Sequence, residues 1–274
     1  MDTRKAFLTG RTAVVTGAGS GIGKGIALGF AAFGARVAVL DVKEDAARQT
    51  VADIEAQGGA GLAVPTDVRD GAAVERAFVA TEERFGGVDV LVSNAGGTFQ
   101  SPFLDIKEKG WDALLRMNLG SVFHGTRAAA TRMVAQGRGG SIINVVSIEG
   151  VRAAPGYAPY AAAKAAVINF TQSMALELAP HRIRVNALAP DICMTEGLAA
   201  LVPEAERTRF AHIVPLGRAG APEDLAGAAV FLASDLAAYV TGVTLHVDGG
   251  THAAGGWYHD PDGRGWILGP PRSK

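Results

Sequence analysis

Tyr160 and Lys164 are the two residues whose types and spacing most directly indicate a reaction. They are four residues apart in an alanine-rich stretch, residues 157–178, that is typical of a helix, so both side chains project from one face. A phenol has a pKa of about 10, and a neighbouring ammonium lowers that pKa because it stabilises the phenolate. Such a tyrosine exchanges a proton with an alcohol or a carbonyl near neutral pH. The spacing alone is common by chance and equally fits an exposed helix face.

A glycine cluster near the N-terminus indicates a site for a phosphate. Gly17, Gly21 and Gly23 are spaced G-x-x-x-G-x-G between an apolar run at residues 12–16 and a helical pattern that ends at Gly34. A strand that leads through a glycine turn into a helix presents backbone N–H groups and the helix dipole to an anion. The order strand, turn, helix favours a dinucleotide, and the alternative is a purely structural turn.

Asp41 ends the second predicted strand, 24 residues after Gly17. A carboxylate at this position accepts hydrogen bonds from both hydroxyls of an adenosine ribose and repels a 2′-phosphate. Lys43, with Lys24, is the only support for NADP, whereas Ser20 occupies the loop position where another basic group would help. NAD is therefore favoured as the cofactor, and NADP is the alternative. Asp41 also fits a role without function, as a solvated aspartate in a turn.

Strand and helix patterns alternate along the chain and predict how these residues are positioned. Strands are expected at residues 12–16, 36–40, 60–65, 88–92, 141–146, 183–189 and 242–247, and the helices after the glycine loop at 46–57, 71–85, 111–136, 157–178 and 222–233. This alternation predicts an α/β fold, a single doubly wound parallel seven-stranded sheet (Rossmann fold) with helices on both faces. Ligands of such sheets bind at the carboxyl ends of the strands. The residues predicted there are Gly17, Asp41, Asp67, Asn94, Ser147 and Pro190.

We expect one catalytic domain over residues 1–250, with a lid at about 191–216, followed by a tail over residues 251–274. The tail is rich in glycine, proline and aromatic residues, so it is predicted to form neither a helix nor a regular strand and to lie at a subunit interface.

Composition excludes several classes of protein. The chain has 274 residues, a net charge of -1 and 19% charged residues, which argues against nucleic acid or an anionic membrane as a partner. Cys193 is the only cysteine, so no intrachain disulfide is expected, and the histidines show no paired metal spacing. No signal peptide and no membrane span are recognised, so we expect a cytoplasmic protein without a metal.

Taken together, the motifs make residues 7–250 resemble the short-chain dehydrogenase/reductase family. The matching residues are Thr16 to Gly23, Asp67-Val68, Asn94-Ala95-Gly96, Asn118, Ser147, Tyr160 with Lys164, Asn186, Pro190, and Val247 to Gly250. Two positions depart from the family pattern. Ser93 replaces the usual Asn, and Asp191 replaces the usual Gly after Pro190, where it adds a side chain near the nicotinamide.

The resemblance implies a role for each matching residue. Tyr160 is the general acid/base, Ser147 orients the substrate oxygen, Lys164 binds the nicotinamide ribose and lowers the pKa of Tyr160, and Asn118 holds a water in a proton relay. The residues expected to contact the cofactor are Gly17, Gly19, Ser20, Gly21, Ile22, Gly23, Asp41, Asp67, Val68, Asn94, Ala95, Gly96, Tyr160, Lys164, Pro190, Ile192 and Thr195. Asp67 and Val68 flank the adenine, and Ile192 and Thr195 reach the nicotinamide carboxamide.

The expected function is an NAD-dependent interconversion of a secondary alcohol and a ketone. The lid is apolar, which suggests an apolar substrate, although sugar and polyol alcohols stay open. The alternatives are an NADP-dependent 3-oxoacyl thioester or ketone reductase and a non-catalytic dinucleotide-binding protein. The resemblance implies a homotetramer that assembles through the helices at residues 111–136 and 157–178 and through the last strand.

Overall fold

Seven short strands form one parallel sheet in the computed structural model, which describes residues 2–263 and 265–268. The strands are β1 (Thr12–Thr16), β2 (Arg36–Asp41), β3 (Ala60–Pro65), β4 (Val90–Ser93), β5 (Gly140–Val145), β6 (Ile183–Pro190) and β7 (Thr244–Val247). Their order is β3-β2-β1-β4-β5-β6-β7, and every neighbouring pair is parallel. The predicted doubly wound seven-stranded sheet is therefore confirmed.

Helices cover both faces of the sheet. They are α1 (Gly21–Ala32), α2 (Glu44–Ala56), α3 (Gly71–Phe85), α4 (Glu108–Leu115), α5 (Ser121–Gln136), α6 (Ala158–Leu178), α7 (Glu196–Leu201), α8 (Glu204–Arg207), α9 (Phe210–Ile213), α10 (Pro222–Ala233) and α11 (Thr251–Ala254). Buried apolar residues of α1, α2 and α10 belong to one core, and buried apolar residues of α3, α5 and α6 to another. A smaller third cluster joins Val122 of α5 and Val167 of α6 to the end of β6.

Strand alternation divides the side chains between these two cores. Val14 lies level with Ala38 in β2 and with Leu91 in β4, and all three face the core that contains α3, α5 and α6. The neighbours of Val14 along the strand, Ala13 and Val15, face the opposite core. Because both faces are covered, the middle residues of the central strands are mostly apolar and buried, and the strand ends are fixed in register.

The predicted helix at 111–136 is interrupted. Helical structure begins earlier, at Glu108, and residues Arg116–Gly120 form a π-helical turn between α4 and α5. Asn118 lies inside this turn, fully buried, and its Nδ2 donates to the backbone oxygen of Leu114 at 3.0 Å. π-turns of this kind are frequent at functional sites.

The prediction that the tail forms no regular structure is wrong. It contains α11 and a two-stranded antiparallel hairpin, β8 (Trp257–His259) and β9 (Trp266–Leu268). The hairpin packs against its own chain: His259 Nε2 lies 3.0 Å from the backbone oxygen of Pro215, and the rings of His259 and Trp266 stack at 4.2 Å. Residues 264 and 269–274 of the predicted tail lie outside the described residues.

Membrane-spanning helices, metal sites and the single cysteine can be assessed for the part of the chain that the structure describes. In that part of the chain no helix is long and apolar enough to cross a membrane, and no group of three or more His, Cys, Asp or Glu side chains is arranged to hold a metal ion. Cys193 is buried, and burial raises the pKa of its thiol to about 12. A thiolate is therefore scarce at neutral pH, so Cys193 is unsuited to act as a nucleophile.

Candidate active site

A cleft of about 350 Å³ opens at the carboxyl edge of the sheet. It lies where the strand order reverses between β1 and β4, the position at which doubly wound sheets bind ligands. Most of the residues predicted to contact a dinucleotide line it. They are Gly17, Ser20, Gly21, Ile22, Asp41, Asp67, Val68, Asn94, Ala95, Gly96 and Thr195.

Close packing holds the glycine loop in a conformation that excludes side chains. Gly17 has a φ of +62°, and a Cβ placed on Gly23 would lie 2.3 Å from the backbone oxygen of Gly17. The Asn94 Nδ2 donates to the backbone oxygens of Thr16 and Gly17 at 3.0 and 3.1 Å, which fastens the loop to the end of β4. Asn94 therefore positions the loop and also lines the cleft.

One backbone donor of the loop is bonded to a carboxylate of the same chain. The backbone N–H of Gly21, the first residue of α1, donates to the carboxylate Oε2 of Glu196 at 3.1 Å. Since a carboxylate accepts the same hydrogen bond as a phosphate oxygen, the loop has the donor geometry that the pyrophosphate of a dinucleotide needs. The residues present thus fit the cofactor that the sequence predicts.

Asp41 reaches the cleft from the end of β2. Its carboxylate accepts the backbone N–H groups of Gly19 and Lys43, each at 2.9 Å, so its orientation is fixed. Lys24 forms an ion pair with Asp53 at 2.7 Å. Of the two lysines that favoured NADP, Lys43 thus donates its backbone N–H to Asp41, and Lys24 is the ion-pair partner of Asp53.

Ser147, Tyr160 and Lys164 come together beyond the end of β5. Ser147 is buried and forms a side-chain hydrogen bond with Tyr160. Lys164 is also buried, lies 5.5 Å from the centre of the Tyr160 ring and donates from Nζ to the backbone oxygen of Val145 at 2.9 Å. The predicted constellation is therefore assembled around the phenol.

The pKa of Tyr160 is shifted in the direction opposite to the one expected from Lys164. Burial raises the pKa of Tyr160, the charge of Glu149 adds to this effect, and the hydrogen bond from Ser147 opposes it. Burial also lowers the pKa of Lys164 to about 8, because the ammonium is removed from water. Desolvation is thus the largest influence on both groups, and it favours the neutral phenol of Tyr160 and the neutral amine of Lys164.

Asn118 joins this cluster through the π-turn. Its Nδ2 donates to the backbone oxygen of Gly97 at 2.8 Å. A Cβ placed on Gly96 would lie 2.8 Å from the Asn118 Oδ1 and 3.5 Å from the Lys164 Nζ, so Gly96 separates the amide from the ammonium. The bare backbone of Gly96 leaves room between two polar groups at the inner end of the cleft.

Three other predicted cofactor residues lie on the segment that leads into the lid. Pro190 is the last residue of β6 and lies level with Val247 in β7. Thr195 lines the cofactor cleft, whereas Ile192 lines a neighbouring cavity. The lid itself consists of the three short helices α7, α8 and α9.

Asp191, the residue that departs from the family pattern, belongs to a charged cluster. Its Oδ1 lies 3.3 Å from the Arg152 guanidinium, which also donates to Glu149 at 2.8 Å. Burial raises the pKa of Asp191, and hydrogen bonding to Thr251 and the charge of Arg152 oppose the rise.

The sequence analysis missed several residues of the site. Thr16 accepts the backbone N–H groups of Asn94 and Ala95 on its Oγ1, both at 3.0 Å, and Arg69 lines the cleft while paired with Asp67 at 2.7 Å. Glu196 and Arg152 are the others. Arg69 had a signal, since it comes four residues after the end of β3 and two after Asp67, but the contact of Glu196 spans 175 residues and has none.

Comparisons with known proteins agree with this geometry. The family described as enoyl-(acyl carrier protein) reductase matches residues 17–252. A 3-oxoacyl-(acyl-carrier-protein) reductase of Synechocystis sp. is 42% identical over 245 residues, which cover 89% of this chain and 97% of that protein. An L-rhamnose 1-dehydrogenase (NAD(P)(+)) of Sphingomonas sp. is 43% identical over 248 residues, 90% of this chain and 98% of that protein. The structure of a 7α-hydroxysteroid dehydrogenase with NADH and 7-oxo glycochenodeoxycholic acid is 35% identical, has a TM-score of 0.87 and covers 91% of this chain and 97% of that one.

Proposed function

Because this chain belongs to the short-chain dehydrogenase/reductase family, we propose that it catalyses the reversible, NAD-dependent oxidation of a secondary alcohol to a ketone. One observation carries the proposal. Ser147, Tyr160 and Lys164 meet beside a cleft whose glycine loop binds a carboxylate and whose far wall presents the carboxylate of Asp41. This arrangement combines a proton-transfer group with a dinucleotide site.

The chain's own residues supply alignment and proton transfer. Bound NAD supplies the acceptor for the hydride that leaves the alcohol carbon. Ser147 and Tyr160, which are hydrogen-bonded to each other, hold the substrate oxygen between them. In the oxidation Tyr160 first loses its own proton to solvent, and the resulting phenolate takes the hydroxyl proton; in the reduction the neutral phenol donates it. Lys164 lies beside the Tyr160 ring, and in this proposal its ammonium form stabilises the phenolate during proton transfer. Asn118, fixed to Gly97, keeps the inner end of the cleft polar.

The first test is the shift in melting temperature with NAD and with NADP, measured separately at saturating concentration. A ligand at 100 times its dissociation constant stabilises the folded state by about 2.7 kcal/mol, which is roughly 5 °C for a chain of this size. NAD is expected to give this shift and NADP much less, because Asp41 accepts ribose hydroxyls and repels a 2′-phosphate. A larger shift with NADP would overturn the cofactor assignment.

Asp41→Asn provides the matched variant for this measurement. It keeps the size of the side chain and removes the charge, so the shift with NAD should shrink while that with NADP grows. Asp53→Asn is the control, because Asp53 pairs with Lys24 outside the residues that line the cleft. That variant should keep the preference for NAD.

A second candidate function is an NADP-dependent 3-oxoacyl thioester reductase. The relative from Synechocystis sp. is named as such a reductase, and Arg69 in the cleft wall is a cation that a 2′-phosphate would contact. The pairing of Arg69 with Asp67 argues against this role, because the guanidinium already has a bidentate carboxylate partner. A preference for NADP together with reduction of an acetoacetyl thioester would favour this alternative.

We also propose that the protein is a homotetramer that assembles through α5 and α6 and through β7. Leu176 on α6 is 77% exposed and Phe123 on α5 is 47% exposed, which leaves large apolar side chains on the expected contact face. Leu176→Asp should therefore lower the mass that light scattering measures, whereas Leu104→Asp, an equally apolar and exposed position outside these helices, should leave it unchanged. An unchanged tetramer mass in Leu176→Asp, or a monomer in the native protein, would contradict the proposal. Contact between the tail and a neighbouring subunit stays a prediction.

A further inference from the structure

A second cavity, of about 250 Å³, lies between the lid and the C-terminal hairpin. Arg152, Asp191 and Ile192 line it from the sheet side, Ile213 from the lid, and Trp257 and Tyr258 from the hairpin. Its size is below the range of roughly 300–1,000 Å³ that drug-sized ligands occupy, so it suits a small molecule.

This cavity adjoins the residues that carry the proposed chemistry. The backbone N–H of Glu149 donates to the Ser147 Oγ at 3.2 Å, and the Glu149 carboxylate accepts from Arg152 at 2.8 Å. Asp191 directly follows Pro190, the last residue of β6. Ser147 and Tyr160 are not among the residues that line the cavity, but Glu149 connects its Arg152 to Ser147, and this connection gives the direction in which the proposed substrate would extend.

The charges of the cavity exclude two classes of substrate. Arg152 and Asp191 line the cavity and are paired, and Arg152 is also paired with Glu149, which lies behind this wall, so the three ionised groups together carry a net negative charge. A carboxylate or phosphate on the substrate would meet this excess and be repelled. A hydrocarbon would strip water from charged groups without replacing their hydrogen bonds, which is unfavourable. Neutral hydroxyl groups avoid both problems, because they donate to carboxylates and accept from a guanidinium.

The hairpin adds an aromatic wall to these polar groups. Trp257 is 48% exposed and lines the cavity, so its ring offers an apolar surface opposite the charged side. Asp191 links the two walls, because its side chain hydrogen-bonds to Thr251 at the start of α11. A polar wall and an aromatic wall together match a molecule with hydroxyls on its edge and C–H groups on its face.

We infer that this cavity is the substrate subsite and that it selects a neutral polyhydroxylated alcohol, a sugar or a polyol, through Arg152, Asp191 and Trp257. The inference rests on the proposed function and names its substrate class. It replaces the expectation of an apolar substrate that the lid sequence suggested, since the lid contributes one wall of the cavity and the charged cluster another.

The test compares steady-state oxidation by the full-length protein with NAD across four neutral sugars and polyols (sorbitol, xylitol, L-rhamnose and D-glucose), an anion (gluconate) and two apolar alcohols (cyclohexanol and 2-octanol). The best neutral sugar or polyol is expected to exceed gluconate and the apolar alcohols by about 100-fold in kcat/KM. Trp257→Ala should raise the KM for that substrate about tenfold with little change in kcat. Asp191→Asn should raise the ratio of gluconate to sorbitol activity about tenfold, because it removes the negative charge.

Tyr239→Ala is the matched control for the aromatic residue. Tyr239 is fully exposed and lines a separate cavity with Arg11 and Arg184, at the opposite edge of the sheet, so the variant should leave every KM unchanged. If an apolar alcohol is the best substrate and Trp257→Ala changes no KM, the subsite assignment is wrong while the proposed function stands. If no alcohol is oxidised, calorimetric titration of the same sugars into the NAD-loaded protein decides. Binding that depends on Trp257 keeps the subsite and overturns the proposed function, and no binding overturns both.

Discussion

Tyr160→Phe is expected to lower kcat for alcohol oxidation by a factor of about 1,000, since a positioned acid/base contributes roughly 100- to 10,000-fold. The variant removes one hydroxyl from a ring that is held beside Lys164 and hydrogen-bonded to Ser147. Lys164 donates to the backbone oxygen of Val145 and Ser147 is hydrogen-bonded to the phenol itself, so the variant removes the proposed proton-transfer group. Steady-state kinetics with a saturating substrate measure the effect.

Binding of NAD should survive this substitution. The glycine loop and Asp41 lie at the ends of β1 and β2, and neither contacts the phenol. The melting-temperature shift with NAD is therefore expected to match that of the native protein, and Tyr239→Phe should match it in both activity and shift. Retention of most of the activity in Tyr160→Phe would show that another group transfers the proton. Loss of the NAD shift together with activity would show that Tyr160 supports the cofactor site instead.

Gly23→Ala is expected to weaken NAD binding by about 100-fold. The added Cβ would lie 2.3 Å from the backbone oxygen of Gly17 and 2.5 Å from the Asn94 Nδ2, so the loop must shift. Overpacking of this kind costs roughly 1–3 kcal/mol, and about 2.7 kcal/mol corresponds to 100-fold in a dissociation constant. Calorimetric titration with NAD measures the change directly.

Gly227→Ala gives the matched control, because it makes the same substitution within another helix, α10. A Cβ on Gly227 meets nothing within 4 Å. Since alanine is favoured over glycine in a helix by about 1 kcal/mol, this variant should bind NAD normally and melt slightly higher than the native protein. Unchanged NAD affinity in Gly23→Ala would mean that the tight contact with Gly17 is not what shapes the phosphate site.

Residues at strand ends could be predicted from the sequence because the fold itself brings them together. Gly17, Asp41, Asn94 and Ser147 each follow an apolar run, and parallel strands place all such positions at one edge. No knowledge of individual contacts was needed. The ends of the predicted strands differ from the observed ones by no more than two residues for the same reason.

Local rearrangements left no such signal. The π-turn around Asn118 inserts into a helical pattern that continues on both sides, so the apolar periodicity of residues 111–136 hides it. The strands β8 and β9 have three residues each, too short to display alternation. The proximity of Arg152 to Asp191 joins positions 39 apart, which only the folded chain reveals.

The pKa of Tyr160 differs from expectation because the sequence shows which residues are neighbours on a helix but not how deeply they are buried. The spacing of Tyr160 and Lys164 correctly predicted that they would be close. It could not predict that both would be withdrawn from water, and desolvation raises the pKa of Tyr160 and lowers the pKa of Lys164. The directions of these two pKa shifts therefore depend on the packing of α6 against the end of β5, which the sequence does not show.

The hydrogen bond between Glu196 and the glycine loop joins the predicted lid to the predicted phosphate site, so we expect cofactor binding and the position of α7 to be interdependent. One N–H group, that of Gly21, is bonded to the first residue of α7, and an arriving phosphate needs the same donor. The binding free energy that a phosphate gains at the Gly21 N–H is therefore reduced by the free energy of the hydrogen bond that Glu196 gives up. A substrate that moves α7 away from Gly21 then raises the affinity for the dinucleotide. By thermodynamic reciprocity, the dinucleotide raises the affinity for that substrate by the same factor. Two ligands that contact opposite sides of the lid are thereby linked through a single backbone hydrogen.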